Sequence, residues 1–107
     1  MVINQYDILL VELDPTKGSE IKKTRPCVVI SPNEMNKSLN TIIVAPMTST
    51  LKKYPSRVPI KHRGKVGTVA LDQLRTVDKL RAKEVVGKLD NKSTLACKDV
   101  IKEMLVD

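Results

Sequence analysis

Short apolar runs separated by polar breaks are the dominant pattern along this chain. Each run is rich in β-branched residues and is bounded by Pro, Asp, Ser, Asn or Gly, which is typical of buried β-strands. Four strands are predicted in this way, at Ile8–Val11, Cys27–Ile30, Ile42–Ala45 and Val69–Leu71. A fifth strand is predicted at Glu84–Leu89.

Prolines and glycines refine this strand prediction. Pro55 and Pro59 cannot donate hydrogen bonds to a central ladder, so Arg57–Lys61 is predicted to be an edge strand. Gly64 and Gly67 indicate a turn before the strand that follows them.

Helical periodicity is clearest at the C-terminus. Apolar side chains recur there at helical spacing while charged residues occupy the opposite face, which is typical of an amphipathic helix. The apolar positions are Cys97, Val100, Ile101, Met104 and Leu105. Asn91 or Ser93 is expected to cap this helix without a capping box, and Asn33–Lys37 is predicted to form one helical turn.

These elements predict a mainly β protein with minor α content. Short strands at regular spacing and one terminal helix favour a small, strongly bent antiparallel barrel that ends in an amphipathic helix. The 107 residues suffice for one small domain with one core, so residues 1–107 are interpreted as a single domain.

Positive charge is concentrated in one part of the chain. The net charge is +7, and residues 35–71 carry only basic charges. A stretch of one sign attracts polyanions at long range, although a solvated basic surface explains the composition equally well. The chain has two Tyr and no Phe or Trp, so any RNA binding is expected to depend mainly on charge and hydrogen bonds rather than on aromatic stacking.

Several classes of protein are disfavoured by what the sequence lacks. No apolar run approaches the roughly 20 residues of a membrane helix, and the N-terminus does not resemble a signal peptide, so a cytoplasmic protein without membrane contact is predicted. Cys27 and Cys97 are expected to be buried free thiols. No residue cluster has metal-ligand spacing, so neither a metal nor a cofactor is expected. His62, the only histidine, is expected on an exposed loop.

Three polar segments that follow or abut the predicted strands carry the candidate chemistry. The first runs from Asp14 through a long loop to Arg25, which Pro26 biases toward an extended conformation. An arginine held in this way can direct its planar guanidinium group at a phosphate. A surface arginine in an ion pair is the alternative.

The second and third segments supply hydroxyl groups and one carboxylate. Thr48 and Ser49 follow the third strand, where their hydroxyls can donate to a phosphate oxygen or simply stabilise a turn. Asp72 follows a buried strand and therefore needs a partner, for which Arg75 or Arg25 is the candidate. A structural ion pair and a catalytic carboxylate both remain open.

Together, four segments resemble the MazF/PemK/Kid family, which are toxins of toxin–antitoxin pairs. The segments are D-P-T-x-G-x-E, T-R-P-x-x-V-I-S-P, A-P-M-T-S and L-D-Q-L-R-T-V-D-K, in that order. The resemblance implies an SH3-like barrel, a homodimer, and a sequence-specific, metal-independent endoribonuclease that cleaves single-stranded RNA, chiefly mRNA. It also implies inhibition by a cognate antitoxin protein that is acidic and partly disordered.

The resemblance also implies roles for individual residues. Arg25 and Thr48 match catalytic positions, and Asp72 matches a residue that is catalytic in some relatives. The loop Thr16–Lys23 is expected to bind RNA and to shift between open and closed forms. RNA contacts are expected at Thr16, Ser19, Glu20, Ser49, Lys52, Lys53, Gln73 and Arg75.

The chain departs from some relatives, which carry His and Arg where Ser19 and Ala70 stand here. Catalysis is therefore expected to depend on Arg25 and Thr48. The expected reaction is attack of the RNA 2′-hydroxyl on the adjacent phosphorus, which leaves 2′,3′-cyclic phosphate and 5′-hydroxyl ends. A CcdB-like gyrase poison of the same fold and a non-catalytic SH3-like RNA-binding module are the alternatives.

Overall fold

A computed structural model describes residues 1–13, 24–49 and 54–106 of the chain. Within these residues the strands form one curled antiparallel sheet, and a helix follows the last strand. The strands are β1 Asp7–Glu12, β2 Thr24–Val29, β3 Thr41–Thr48, β4 Arg57–His62, β5 Lys65–Ala70, β6 Arg75–Asp78 and β7 Ala82–Lys88. The helices are α1 Asn33–Ser38 and α2 Asn91–Ile101, which continues into a wider turn at Lys102–Val106. Short 3₁₀ turns lie at Leu71–Gln73 and Lys79–Arg81.

Strand β3 lies at the centre of the sheet. The order of neighbours is β4-β5-β3-β2-β1-β7, and β6 also pairs with β3. Along one side of β3, β6 pairs with its first half and β5 with its last two residues. Strand β4 lies at one end of this order, so the prediction of an edge strand at Arg57–Lys61 is confirmed. The predicted mainly β class with a bent antiparallel sheet and a C-terminal helix is likewise confirmed.

The sheet buries apolar side chains on both faces, which explains why its strands read as continuous apolar runs. In β1, Leu9 and Val11 pack into one cluster while Ile8 packs into the other. In β2, Cys27 and Val28 divide in the same way, because successive side chains of a strand point to opposite faces. Helix α2 covers the second cluster through Cys97.

Two details of the turns and caps differ from the sequence prediction. The hairpin between β4 and β5 turns at Arg63 and Gly64, which both have positive φ, as a two-residue hairpin turn requires. Gly67 lies inside β5, so its assignment to a turn is wrong. The N-cap of α2 is Asp90, whose Oδ1 accepts a hydrogen bond from the Ser93 N–H at 2.7 Å, rather than Asn91 or Ser93.

The predicted apolar face of the C-terminal helix is only partly buried. Cys97 is buried, and Val100 and Ile101 pack partly against the second cluster. Met104 and Leu105 are exposed, and they lie in the segment after Ile101 where the helix widens and the 3.6-residue spacing no longer applies. No helix among the described residues is long and apolar enough to cross a membrane.

Strands β2 and β3 extend further than the apolar runs that predicted them. Strand β2 begins at Thr24, so Arg25 lies within the strand, and β3 continues through Thr48. The short strand β6 was not predicted, because Arg75–Asp78 contains one buried apolar residue, Val77, between polar neighbours.

Both cysteines are free and buried, as expected.

Candidate active site

Strands β2 and β3, which pair with each other, carry two of the expected site residues, Arg25 and Thr48. Val28 pairs with Ala45 and Cys27 with Pro46, where the ladder between the two strands ends. Pro26 has no N–H to extend it. Counted on at the same register beyond this last pair, Arg25 of β2 corresponds to Thr48 of β3. Arg25 is exposed and Thr48 half-buried, so both are positioned on regular strands and both can meet a ligand.

The backbone of β5 approaches the end of β3 very closely at Gly67. A Cβ atom added to Gly67 would lie 2.6 Å from the Thr48 carbonyl oxygen, a distance that no side chain can occupy without displacing the backbone. The adjacent pair Thr48 and Thr68 is in register across the same strands. The position of Thr48 therefore depends on the absence of a side chain at Gly67.

A small cavity opens beside Thr48. Its volume is about 170 Å³, and Pro26, Met47 and Ile60 supply apolar lining. Thr48 and Ser49, which carry hydroxyl groups, also line it. A cleft that is mostly apolar with a few polar groups is the usual form of a small ligand site.

The charges of two guanidinium groups affect the pKa of one buried thiol, that of Cys27 in β2. Burial raises the pKa of the Cys27 thiol to about 12, while the charges of Arg75 and Arg25 oppose that rise. Because both arginines influence one sulfur atom, their positive charges converge on the same part of the sheet. A thiol with so high a pKa stays protonated at neutral pH, so Cys27 is packed as an apolar residue and is not a nucleophile.

Asp72 has a different partner from the one expected. Arg57 Nε donates to Asp72 Oδ1 at 2.7 Å and Arg57 Nη2 donates to Oδ2 at 3.2 Å, which is a bidentate pair. The expectation that Arg75 or Arg25 would pair with this carboxylate is therefore wrong. The hydrogen bonds from Arg57, assisted by one from the Ser56 hydroxyl, lower the pKa of Asp72 below its ordinary value of 3.8.

The Arg57–Asp72 pair ties the start of β4 to the 3₁₀ turn that follows β5. The Leu71 N–H donates to the Ser56 carbonyl at 3.1 Å, and the Arg57 guanidinium lies 5.5 Å from the centre of the Tyr54 ring. The Arg57 side chain is only 10% exposed, whereas that of Asp72 is 37% exposed. The geometry indicates that Asp72 holds an arginine in place and does not lie in the cavity beside Thr48.

The remaining expected site residues fall into two groups. Ser49, Gln73 and Arg75 are exposed at the end of β3, in the 3₁₀ turn and at the start of β6. The others lie outside the described residues, namely Thr16, Ser19, Glu20, Lys52 and Lys53. Within the described part of the chain, no group of three or more His, Cys, Asp or Glu side chains could hold a metal ion.

His62 is the residue of this region that the sequence reasoning missed. It is the last residue of β4, it is half-buried, and it lines the same cavity as Thr48. The expectation of an exposed loop is therefore wrong. The alternation of side chains along β4 could have predicted this position. Val58 and Ile60 are buried, and His62 is the next residue that points to the same face.

Comparison with known proteins identifies the same family over nearly the whole chain. The family model described as "PemK-like, MazF-like toxin of type II toxin-antitoxin system" matches residues 4–105. A crystal structure of MazE-MazF from Deinococcus radiodurans is similar, with 26% identity, a TM-score of 0.84 and coverage of 99% of this chain and 97% of that chain.

Two mycobacterial structures share the fold at lower identity. The Mycobacterium tuberculosis toxin MazF-mt6 is 21% identical, with a TM-score of 0.77 and coverage of 91% of this chain and 93% of that chain. An endoribonuclease in complex with its cognate antitoxin, from a mycobacterial species, is 15% identical, with a TM-score of 0.77 and coverage of 98% and 94%.

Replacing Gly67 by alanine is expected to displace Thr48. The added methyl group meets a backbone oxygen, so the strands must separate, at a cost of about 1–3 kcal/mol in the free energy of unfolding. Urea unfolding measures the loss, and the amide resonances of Thr48 and Ser49 report the displacement. Val66→Ala in the same strand is the control, because Val66 is exposed and its truncation should cost less than about 0.5 kcal/mol. Equal effects of the two changes would contradict the tight contact.

Replacing Asp72 by asparagine is expected to have a small effect on stability that depends on pH. The folded pKa of Asp72 is lowered, so its contribution is complete above the ordinary value of 3.8 and is lost as the pH falls through the lower, folded value. Since the pair is partly exposed, the difference from wild type should be at most about 1 kcal/mol near pH 7 and should vanish in acid. Urea unfolding between pH 7 and pH 2 measures it. A difference that grows on acidification would refute the pairing.

Proposed function

Because the chain belongs to the PemK-like, MazF-like toxins of type II toxin–antitoxin systems, we propose that it is an endoribonuclease that cleaves single-stranded RNA. The proposal is carried by the antiparallel register of β2 and β3, which leads toward Arg25 on one strand and Thr48 on the other, with Thr48 lining a cavity. A guanidinium group and a hydroxyl on adjoining strands form a rigid pair of donors for one phosphate group. The net charge of +7 attracts an RNA strand to this surface.

The proposed reaction is attack of the RNA 2′-hydroxyl oxygen on the adjacent phosphorus. A bond forms between the 2′-oxygen and phosphorus while the bond from phosphorus to the 5′-oxygen breaks. The 2′-hydroxyl loses its proton to solvent and the departing 5′-oxygen gains one, so the ends are a 2′,3′-cyclic phosphate and a 5′-hydroxyl. This route uses a nucleophile that the substrate itself contains.

In this reaction Arg25 and Thr48 stabilise the charge that develops on the phosphate oxygens. Arg25 donates from its planar guanidinium group and Thr48 from its hydroxyl, and both are positioned by strands before the substrate arrives. A free guanidinium has a pKa above about 12, so electrostatic stabilisation suits Arg25 better than proton transfer does. Asp72 is proposed to be structural in this scheme, because its carboxylate is already engaged by Arg57 at the junction of β4 and the 3₁₀ turn.

The family also suggests partners for this chain. We infer that a cognate antitoxin with an acidic, flexible segment covers the basic surface, since two of the similar structures contain an antitoxin. A homodimer is proposed as well. Leu95, Met104, Leu105 and Val106 on the C-terminal helix remain exposed in the described single chain, where a second copy can cover them. The proposed substrate, mRNA, places the protein in the cytoplasm.

Primer extension on a long RNA treated with the protein tests the proposed function. Discrete stops at one short sequence are expected, with 5′-hydroxyl ends downstream and cyclic phosphate ends upstream of each cut. The pattern should persist in excess chelator, because the proposed scheme uses no metal ion. Cleavage that disappears with chelator and returns with added metal would refute the scheme. Intact RNA would refute nuclease activity and favour a gyrase poison or a non-catalytic binding module.

Removing the guanidinium group at Arg25 is expected to abolish most of the cleavage. Arg25→Ala should lower kcat by about 10²–10³, as is usual for loss of one preorganised donor, while the fold persists because Arg25 is exposed. Single-turnover cleavage of an oligonucleotide with the mapped site measures the rate. Lys102→Ala on the C-terminal helix is the control for loss of one exposed positive charge and should keep the wild-type rate. Near wild-type cleavage by Arg25→Ala would contradict the assignment.

A further inference from the structure

The ring of His62 lies where the two edge strands of the sheet meet. Strand β4 ends at His62, and β7 forms the opposite end of the strand order. A methyl group added to Gly87 in β7 would lie 3.1 Å from the Cε1 atom of His62, so the ring packs directly over this glycine. The next residue, Arg63, donates from Nη2 to the Val86 carbonyl at 3.4 Å. The ring is thus held in place by β7.

Cavities open next to this ring. The 170 Å³ cavity is shared by His62 with Thr48, and a second cavity of about 230 Å³ is lined by His62, Leu10 and Val86. Pro26 and Lys65 line both cavities. The two cavities therefore adjoin at His62, Pro26 and Lys65, and a ligand at Thr48 can extend toward the ring of His62.

The lining of the first cavity fits a nucleobase better than a phosphate. Pro26, Met47 and Ile60 present apolar surface, which a phosphate group avoids and a flat base can cover. Single-stranded RNA exposes its bases, and proteins bind them by stacking on aromatic rings, including histidine. The hydroxyls of Thr48 and Ser49 lie at the same cavity, where they can meet the backbone or the base edge.

The other two rings of the chain are engaged elsewhere. Tyr6 is only 8% exposed, and the Lys98 ammonium group lies 5.9 Å from its ring centre. Tyr54 packs against Arg57 near the opposite end of β4. Among the described residues, His62 is the one aromatic side chain that lines the cavity beside Thr48.

We propose that this cavity is a nucleobase subsite, in which the base next to the cleaved phosphodiester stacks on His62. The proposal rests on the proposed function, because it assumes that the phosphate lies between Arg25 and Thr48. Lys65 then lies at the rim, where its charge meets the next phosphate. His62 is thereby a specificity-determining residue that contacts a base.

Two substitutions of His62, assayed on two kinds of RNA, test this subsite. The substrates are an oligonucleotide with the mapped cut site and versions in which one nucleotide beside the cut is abasic. His62→Ala should lower kcat/KM on the intact strand by about 5- to 100-fold, the range expected for one base–ring stack. His62→Phe should keep most of the activity, because it retains a ring without ring nitrogens. On one of the abasic strands, wild type and His62→Ala should cleave equally slowly.

Each alternative role of His62 predicts a different pattern. If His62 has only a structural role between β4 and β7, His62→Ala lowers kcat/KM by the same factor on intact and abasic strands. Thermal unfolding then shows a matching loss of stability. If its nitrogens move protons, His62→Phe is as slow as His62→Ala. Either pattern, or unchanged kcat/KM in His62→Ala, overturns the proposal.

Gly87→Ala provides a second route that leaves the histidine intact. The added methyl group must push the His62 ring by a few tenths of an ångström. Gly87→Ala should therefore lower kcat/KM on the intact strand, as His62→Ala does, and leave cleavage of the abasic strand unchanged. The same loss on both strands would again overturn the subsite.

Binding separates failure of the subsite from failure of the proposed function. Fluorescence anisotropy compares an intact strand with a fully abasic strand of equal length, which retains every phosphate. A wild-type preference for the intact strand that His62→Ala abolishes supports the subsite even if no RNA is cut. A preference that His62→Ala leaves unchanged overturns the subsite even if wild type cleaves RNA.

Discussion

The close approach of β5 to the end of β3 is the contact on which the candidate site depends. Because Gly67 has no side chain, its α-carbon lies directly against the Thr48 carbonyl, and the two strands can lie side by side. This contact lies where the neighbour of β3 on this side changes from β6 to β5. On its other side, β3 is held by β2 through the register that leads to Arg25. The position of Thr48 is thus determined by backbone contacts with β5 on one side, while β2 holds the preceding residues of β3 on the other. Such positioning on regular strands is more accurate than a loop would allow.

Three of the arginines in the described part of the chain show two different uses of this side chain. Arg57 is largely covered and is held by Asp72 and Tyr54, so its charge stabilises the junction between β4 and the 3₁₀ turn. The charges of Arg25 and Arg75 both oppose the rise in the pKa of the buried Cys27 thiol, so these two arginines lie near the same part of the sheet. The carboxylate of Asp72 is therefore used on a structural arginine at this junction and not in the cavity beside Thr48.

The sequence predicted those features that depend on local patterns. Runs of β-branched residues located β1, β2 and β3, and proline placement identified the edge strand β4. Features that depend on tertiary pairing were missed. The partner of Asp72 could not be chosen among several arginines, because the choice follows from the pairing of β4 with β5, which brings Arg57 beside the end of β5. Likewise, β6 carries a single buried apolar residue and becomes a strand only because β3 offers it an edge.

The position of His62 shows how a composition argument can be correct and still incomplete. Few aromatic residues do argue against a series of stacking platforms along an RNA strand. They do not argue against one ring held at one place, and curling of the sheet creates such a place where the edge strand β4 meets Gly87 of β7. Alternation within β4 then decides which side chain arrives there, since Val58 and Ile60 are buried and the next residue in phase is a histidine instead of another aliphatic residue. The half-buried ring therefore lies beyond the apolar core, against Gly87 on one side and at the cavity beside Thr48 on the other.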